Sequence, residues 1–183
     1  MEIRRFFSRE PVLQHTVTIG GEEYHHIRSV NRLRPGDPIE VIDGCGRLYT
    51  GTIGAISRGQ VVVHIQKEER EDPSTVETIV APSLLKPRAM TLLMERLSEM
   101  GIDEIRPVIY SRTDIGCTPA MLKKWQRLAV QSLKVNKRLW LTAIYPPVTL
   151  QELLSWAKDS EVRTPLVLDL EGPKGDLPPF RPP

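Results

Sequence analysis

Residues 85–113 constrain the fold more than any other stretch, because a helical apolar period runs into a Gly and then directly into a strand-like run that ends in an Arg. Met90, Leu93, Met94, Leu97 and Met100 recur at helical spacing, and Gly101 stands where a C-terminal cap needs positive φ. Ile102, Ile105, Val108 and Ile109 supply the apolar character of a buried strand. Helix, Gly and strand together predict half of a βαβ unit. In open α/β sheets the ligand crevice lies beyond the carboxyl ends of the strands. Tyr110, Ser111, Arg112 and Thr113 are expected at that edge, as a polar, cationic site.

The chain has 183 residues, 40% of them hydrophobic and 26% charged, an ordinary globular mixture that fits one domain or two small ones. Its two cysteines, Cys45 and Cys117, are far apart and outside metal-ligand spacing, so a reducing compartment and no metal are expected. The N-terminus lacks the apolar run of a signal peptide, and no stretch approaches the about 20 apolar residues that span a bilayer. The chain reads as soluble and cytoplasmic, with no membrane partner. Phosphate-loop, zinc-protease, nucleophile-elbow and Cys-x-x-Cys motifs are all missing from the sequence.

Residues 12–19, 38–42, 48–56 and 61–65 read as strands. Asp43-Gly44-Cys45-Gly46 and Arg58-Gly59 supply the turns, with a helical turn or two at residues 22–30. Short strands at this spacing predict a small barrel. Residues 67–74 are charged, aperiodic and contain a Pro, which predicts a boundary. The expected division is a β-barrel over residues 1–70, a linker at 71–74, an α/β domain over 75–170 whose first strand is 75–81, and a Pro-rich, disordered tail at 171–183. Thr118-Pro119 predicts the start of a helix whose buried stripe is Met121, Leu122, Trp125, Leu128, Ala129 and Ser132. Thr149 and Glu152 have capping-box spacing, and residues 166–170 read as a further parallel strand.

Charge is unevenly placed although the net value is only +2. Between Asp114 and Glu152 no carboxylate occurs, while Lys123, Lys124, Arg127, Lys134, Lys137 and Arg138 all do. Between Glu23 and Asp37 fall His25, His26, Arg28, Arg32 and Arg34, and Arg4, Arg5 and Arg9 crowd the N-terminus. Clusters of this kind are the footprint of a polyanion, because each neutralised phosphate releases counterions. The three are expected to converge on one groove.

Several motifs occur in order along the chain: Arg5-Phe6-Phe7, His26 with Val30-Asn31-Arg32, Gly36-Asp37, Asp43-Gly44-Cys45-Gly46, Lys86, Glu99-Met100-Gly101-Ile102, Ile105-Arg106-Pro107 and Arg112. In this order and spacing they resemble the ribosomal RNA small subunit methyltransferase E family, which methylates ring nitrogen 3 of a uridine in 16S rRNA with S-adenosylmethionine. The resemblance implies a two-domain α+β and α/β chain: an N-terminal PUA-like β-barrel that binds RNA, then a SPOUT-type α/β domain whose trefoil knot is closed by a C-terminal segment. It also implies a homodimer that acts on the small ribosomal subunit. The chain departs from the family at Val135 and at Thr142, where Gln and Pro are usual. The family's cofactor loop and knot-closing segment are expected after the last residue, which makes the SPOUT-type domain incomplete and the chain a C-terminally shortened copy. Gly172, Pro173 and Gly175 are either a degenerate cofactor loop or a linker.

The residues expected to contact RNA are Arg4, Arg5, His26, Arg28, Arg32, Arg34, Lys86, Arg112, Lys134 and Arg138. Arg138 and Arg112 are also candidates for stabilising an anionic uracil in the transfer step, their alternative being salt bridges or phosphate contacts. His26 is expected to stack or pack rather than serve as a base. Glu99, unfavourable at a helix C-terminus, is expected to pair with Lys86 or with an Arg across a subunit interface. A non-catalytic RNA-binding protein is the alternative reading.

Overall fold

The computed structural model of the protein describes residues 3–111 and 116–159. The N-terminal part is a curled five-stranded sheet built from β1 (Arg4–Phe7), β2 (Thr16–Gly20), β3 (Pro38–Ile42), β4 (Arg47–Ser57) and β5 (Gln60–Arg70), in the order β1-β3-β4-β5-β2. β1 runs parallel to β3, and the remaining pairs are antiparallel. Period-two alternation turns Ile39, Val41, Ile53, Val61 and Val63 inward, where they bury almost completely. Register shifts at Thr50/Gly51 and Ile53/Ala55 bend the long β4–β5 hairpin so that the sheet closes over this core. Helix α1 (Gly21–His25) continues into a π-helical turn, His26–Val30, and seals one end with Ile27. In the β3–β4 turn the Asp43 carboxylate accepts hydrogen bonds from the Cys45 and Arg47 backbone N–H groups, at 2.7 and 3.1 Å.

The second part layers helices on short parallel strands. β6 (Ile79–Val80), β7 (Glu104–Ile105) and β9 (Ala143–Ile144) form one sheet, and β8 (Val108–Ile109) pairs with β10 (Val148–Thr149). Helix α2 (Pro87–Met100) starts on a proline and ends on Gly101 at φ 77°; α3 (Pro119–Val135) is capped by the Thr118 hydroxyl, which accepts from the Met121 N–H. The two helices share a core in which Met90, Met94, Trp125 and Ala129 pack against Ile105 and Ile144. A third cluster, Ile42 with Leu133 and Leu139, joins the two parts. Gly44 and Gly46 complete that junction by exchanging backbone hydrogen bonds with Leu141 and Leu139, both at 3.0 Å.

Several elements differ from the sequence reading. The expected strand at residues 12–19 shortens to Thr16–Gly20, because Gln14 and His15 turn the chain at φ 48° and 58°. Residues 67–70 belong to β5, where Glu68 faces Tyr49 across the ladder and lies 3.8 Å from Arg47. Of residues 75–81 only Ile79 and Val80 are strand. The single strand expected before Tyr110 is two, because Pro107 carries no N–H for a ladder and the chain changes partner there, from β9 to β10. Met100, the last residue of the apolar run at helical spacing, is 70% exposed at the end of α2. Residues 166–170 and the Pro-rich tail lie outside the described residues.

Helix α4 (Leu150–Lys158) begins with the full capping box: Thr149 accepts from the Glu152 N–H, and the Glu152 carboxylate accepts from the Thr149 N–H at 2.7 Å. The Thr149 backbone bond first, and its hydroxyl second, hold the Glu152 carboxyl below its ordinary value. A depressed carboxylate contributes stability that is present above the unfolded pKa and lost as pH falls through the folded one. The first turn of α4 is therefore expected to fray on acidification through that depressed value. Amide exchange at Thr149, taken at each pH as protection relative to the intrinsic exchange rate, checks this in the protein and in Glu152→Gln; protection that stays constant on acidification of the parent chain contradicts it.

Candidate functional site

A cleft of about 910 Å³ opens between the two parts. Its walls come from the β3–β4 turn (Asp43, Gly44, Cys45), from Arg9, His15, Arg47 and Tyr49 of the sheet domain, and from Gln126, Thr142 and Tyr145 of the other. The side-chain amide of Gln126 donates to the Ile144 carbonyl at 3.2 Å, tying α3 to β9 under the cleft. The left-handed residues Gln14 and His15 form part of the rim, a conformation that non-glycine residues rarely adopt. Arg9 and Arg47 are offset by Glu10, Asp43 and Glu68, so the charges around the cleft are mixed in sign. None of the residues expected above to contact RNA is among those that line it; of the earlier-noted positions, Arg9, Thr142 and the Asp43-Gly44-Cys45 turn do.

At the carboxyl ends of β7 and β9 the Arg106 guanidinium is sandwiched between the rings of Tyr145 and Trp156, at 4.0 and 3.9 Å, and pairs with Glu104 at 2.7 Å. Tyr145 donates to Glu104 at 3.2 Å; burial first, and the neighbouring Glu104 charge next, push its phenol up. One aromatic face of each ring at this edge is thus covered by a cation. Gly172, Pro173 and Gly175, and the catalytic candidate Arg112, lie outside the described residues.

The expected RNA contacts separate into groups. Arg5 is ion-paired with Glu40 of the neighbouring strand at 2.8 Å. Lys134 forms a half-buried ion pair with Glu23 of α1, and one helical repeat earlier Arg127 pairs with Glu22 at 3.0 Å. Arg127 and Lys134 of α3 therefore tie the second part to α1 of the sheet domain, their charge shared with carboxylates. Arg138 donates to the carbonyls of Met100 and Gly101, at 3.1 and 3.3 Å, and so caps α2. Glu99 pairs with Arg96 on its own helix at 2.6 Å rather than with Lys86, which stands exposed before α2. His26 is half buried, and its carbonyl accepts from the Asn31 backbone and side-chain amides. Arg4 and Arg32 are exposed, Arg32 at φ 53°. Arg28 and Arg34 line a shallow hollow together with Arg58, which the sequence reading missed because it stood outside every charge cluster.

Glu23 Oε2 is buried without a hydrogen-bond partner, so Glu23 depends on Lys134 for compensation. Lys134→Met is expected to cost about 1–3 kcal/mol, less than a fully buried pair because each side chain keeps some solvent contact. Adding Glu23→Gln should recover part of that loss. Urea unfolding of the single and double variants measures both, and a double variant no better than the single contradicts the pairing.

A curled sheet with exposed guanidinium groups, joined through a shared apolar cluster to a parallel-stranded α/β unit, defines a two-domain α+β protein. The family model described as the RNA methyltransferase PUA domain matches residues 19–66, and that described as the RNA methyltransferase domain matches residues 71–176. The chain belongs to this RNA methyltransferase family, which includes the ribosomal RNA small subunit methyltransferase E proteins. It is 25% identical to the Synechocystis protein of that name over 150 residues, 81% of this chain and 49% of the relative. It is 24% identical to the one from Bacillus subtilis over 151 residues, 79% of this chain and 58% of the relative. The crystal structure of a ribosomal RNA small subunit methyltransferase E from Neisseria gonorrhoeae, bound to S-adenosyl methionine, shares the fold. Its TM-score is 0.71 at 23% identity, over 84% of this chain and 65% of that one. The chain spans about half the length of the curated relatives it matches. Among the described residues no helix is long and apolar enough to cross a membrane.

Proposed function

We propose that the protein takes part in S-adenosylmethionine-dependent methylation of ring nitrogen 3 of a uridine in the 16S rRNA of the small ribosomal subunit. In this reading residues 1–70 hold RNA and residues 75–170 belong to the transfer domain. The observation that carries it is the ordered match of an RNA-binding and a transferase family model to the two parts of one chain. The names of the relatives support the ribosomal substrate, and the cleft between the parts, lined by residues of both, is where a ligand could touch the two together. S-adenosylmethionine supplies an electrophilic methyl group. The protein must hold the uracil still and stabilise its imide anion through donors to the flanking carbonyl oxygens, and positioning accounts for most of the rate in such a displacement.

The test is a calorimetric titration with S-adenosylmethionine, followed by a labelled-methyl assay on small-subunit RNA. Heat of binding and label recovered as 3-methyluridine support the proposal. A flat titration with no label incorporated overturns it for this chain and leaves the reading of a non-catalytic RNA-binding protein.

A further inference from the structure

Among the described residues seven ion pairs engage the cations of both parts, from Arg5 in β1 to Lys134 in α3. Of the exposed arginines of the sheet domain that stay outside those pairs, three stand together: Arg28 in the π-helical turn, Arg34 in the loop before β3, and Arg58 in the β4–β5 turn. They come from three separate elements, yet all line one shallow hollow of about 630 Å³, and no carboxylate lines it with them. The nearest acid in sequence, Asp37, accepts from the Arg34 backbone N–H at 2.7 Å and is in none of the seven ion pairs. The lining also includes the half-buried apolar side chains Leu33 and Ile56, which lower the local dielectric and strengthen attraction for an anion.

Arg28 is braced from one side, donating to the Tyr24 hydroxyl at 2.6 Å. That hydrogen bond first, a bond with the Gly59 backbone second, and the Arg28 and Arg58 charges after desolvation are what act on the Tyr24 phenol, whose pKa is lowered. Arginine suits such a hollow, because its planar fork binds phosphate oxygens in pairs and is weakly hydrated.

We infer that Arg28, Arg34 and Arg58 form a cradle for consecutive phosphates of an RNA backbone, a subsite that holds the strand without reading its bases. This rests on the RNA-directed function proposed above and assigns it a place on the sheet domain. Phosphate contacts fix register and carry no sequence information. The cradle is therefore expected to strengthen binding alike for RNAs of different sequence. Unlike the cations of α3, these three do not share their charge with a protein carboxylate among the described residues.

The full chain, its Arg34→Gln/Arg58→Gln double variant and Arg96→Gln, a charge removed from the far α2 surface, are titrated against fluorescein-labelled single-stranded RNAs of two unrelated sequences at several salt concentrations. For the double variant we expect affinity for both RNAs to fall about tenfold or more, as for lost charge-assisted contacts. The slope of log K against log salt should become shallower by about 1.4, two phosphate contacts on a single strand. Arg96→Gln should change neither. Arg58→Lys, which keeps the charge but loses the fork, should fall between parent and double variant, and it provides the reading if the double variant does not fold. An unchanged affinity and slope, or an equal loss in Arg96→Gln, overturns the cradle. If the parent chain binds neither RNA, the RNA-directed reading itself fails, an outcome distinct from failure of the cradle alone.

Discussion

Trp125→Ala is expected to lower stability by about 3–5 kcal/mol, the range for removing a fully buried aromatic side chain. Trp125 is 1% exposed in the middle of α3 and packs in the cluster that contains Met90 and Met94 of α2, Ile105 of β7 and Ile144 of β9. It therefore touches both layers of the second part. Deleting the indole leaves a cavity that Ala129, four residues further on the same face, is too small to fill. Domains of this size are stable by only about 5–15 kcal/mol, so the loss takes a large share of the total. Urea unfolding monitored by circular dichroism measures it. Leu92→Ala, on the neighbouring helix but 52% exposed, should shift stability by no more than about 0.5 kcal/mol. Equal effects at the two positions would mean that α2 and α3 do not pack as described.

The second large effect is expected at the junction. Gly46 has φ 88°, and a Cβ there would lie 2.5 Å from the Glu71 carbonyl oxygen and 2.6 Å from a ring carbon of Trp140. A backbone oxygen cannot step aside as a flexible side chain does. Gly46→Ala thus combines a left-handed backbone, costing about 1–2 kcal/mol, with overpacking of about 1–3 kcal/mol. It acts where the Gly46 N–H donates to Leu139 and the two parts meet. Gly59→Ala separates the two causes: its φ is 86°, but a Cβ would meet nothing within 4 Å. The Gly59 variant should lose only the conformational part, while Gly46→Ala should also alter the fluorescence of Trp140. Matching melting temperatures for the two variants would remove the steric argument.

What was legible beforehand was local. Thr118-Pro119, the Thr149 and Glu152 capping box, Gly101 after α2 and the turn at Asp43 were each readable because cause and effect lie within a few residues. The β3–β4 hairpin followed from alternation, and the family resemblance from ordered motifs. The split at Pro107 was written in the sequence too, yet apolar composition on both sides concealed it.

The candidate site was far less legible. Charge clustering singled out Lys134 as an RNA contact, but its partner Glu23 stands 111 positions away in sequence. Arg138 was a catalytic candidate by its place in a motif, and packing sets it against the α2 carbonyls. Arg58 looked isolated until the β4–β5 turn brought it beside Arg28 and Arg34.

By itself the sequence determined the elements, their caps and turns, and the family, since these rest on short-range stereochemistry and on ordered motifs. Only the tertiary structure decided which cations are spent on carboxylates and which stay free to face a ligand. The reason is physical: attraction between charges acts through water only across a few ångströms. Separations of that size between distant residues are set by how the sheet and the helices pack.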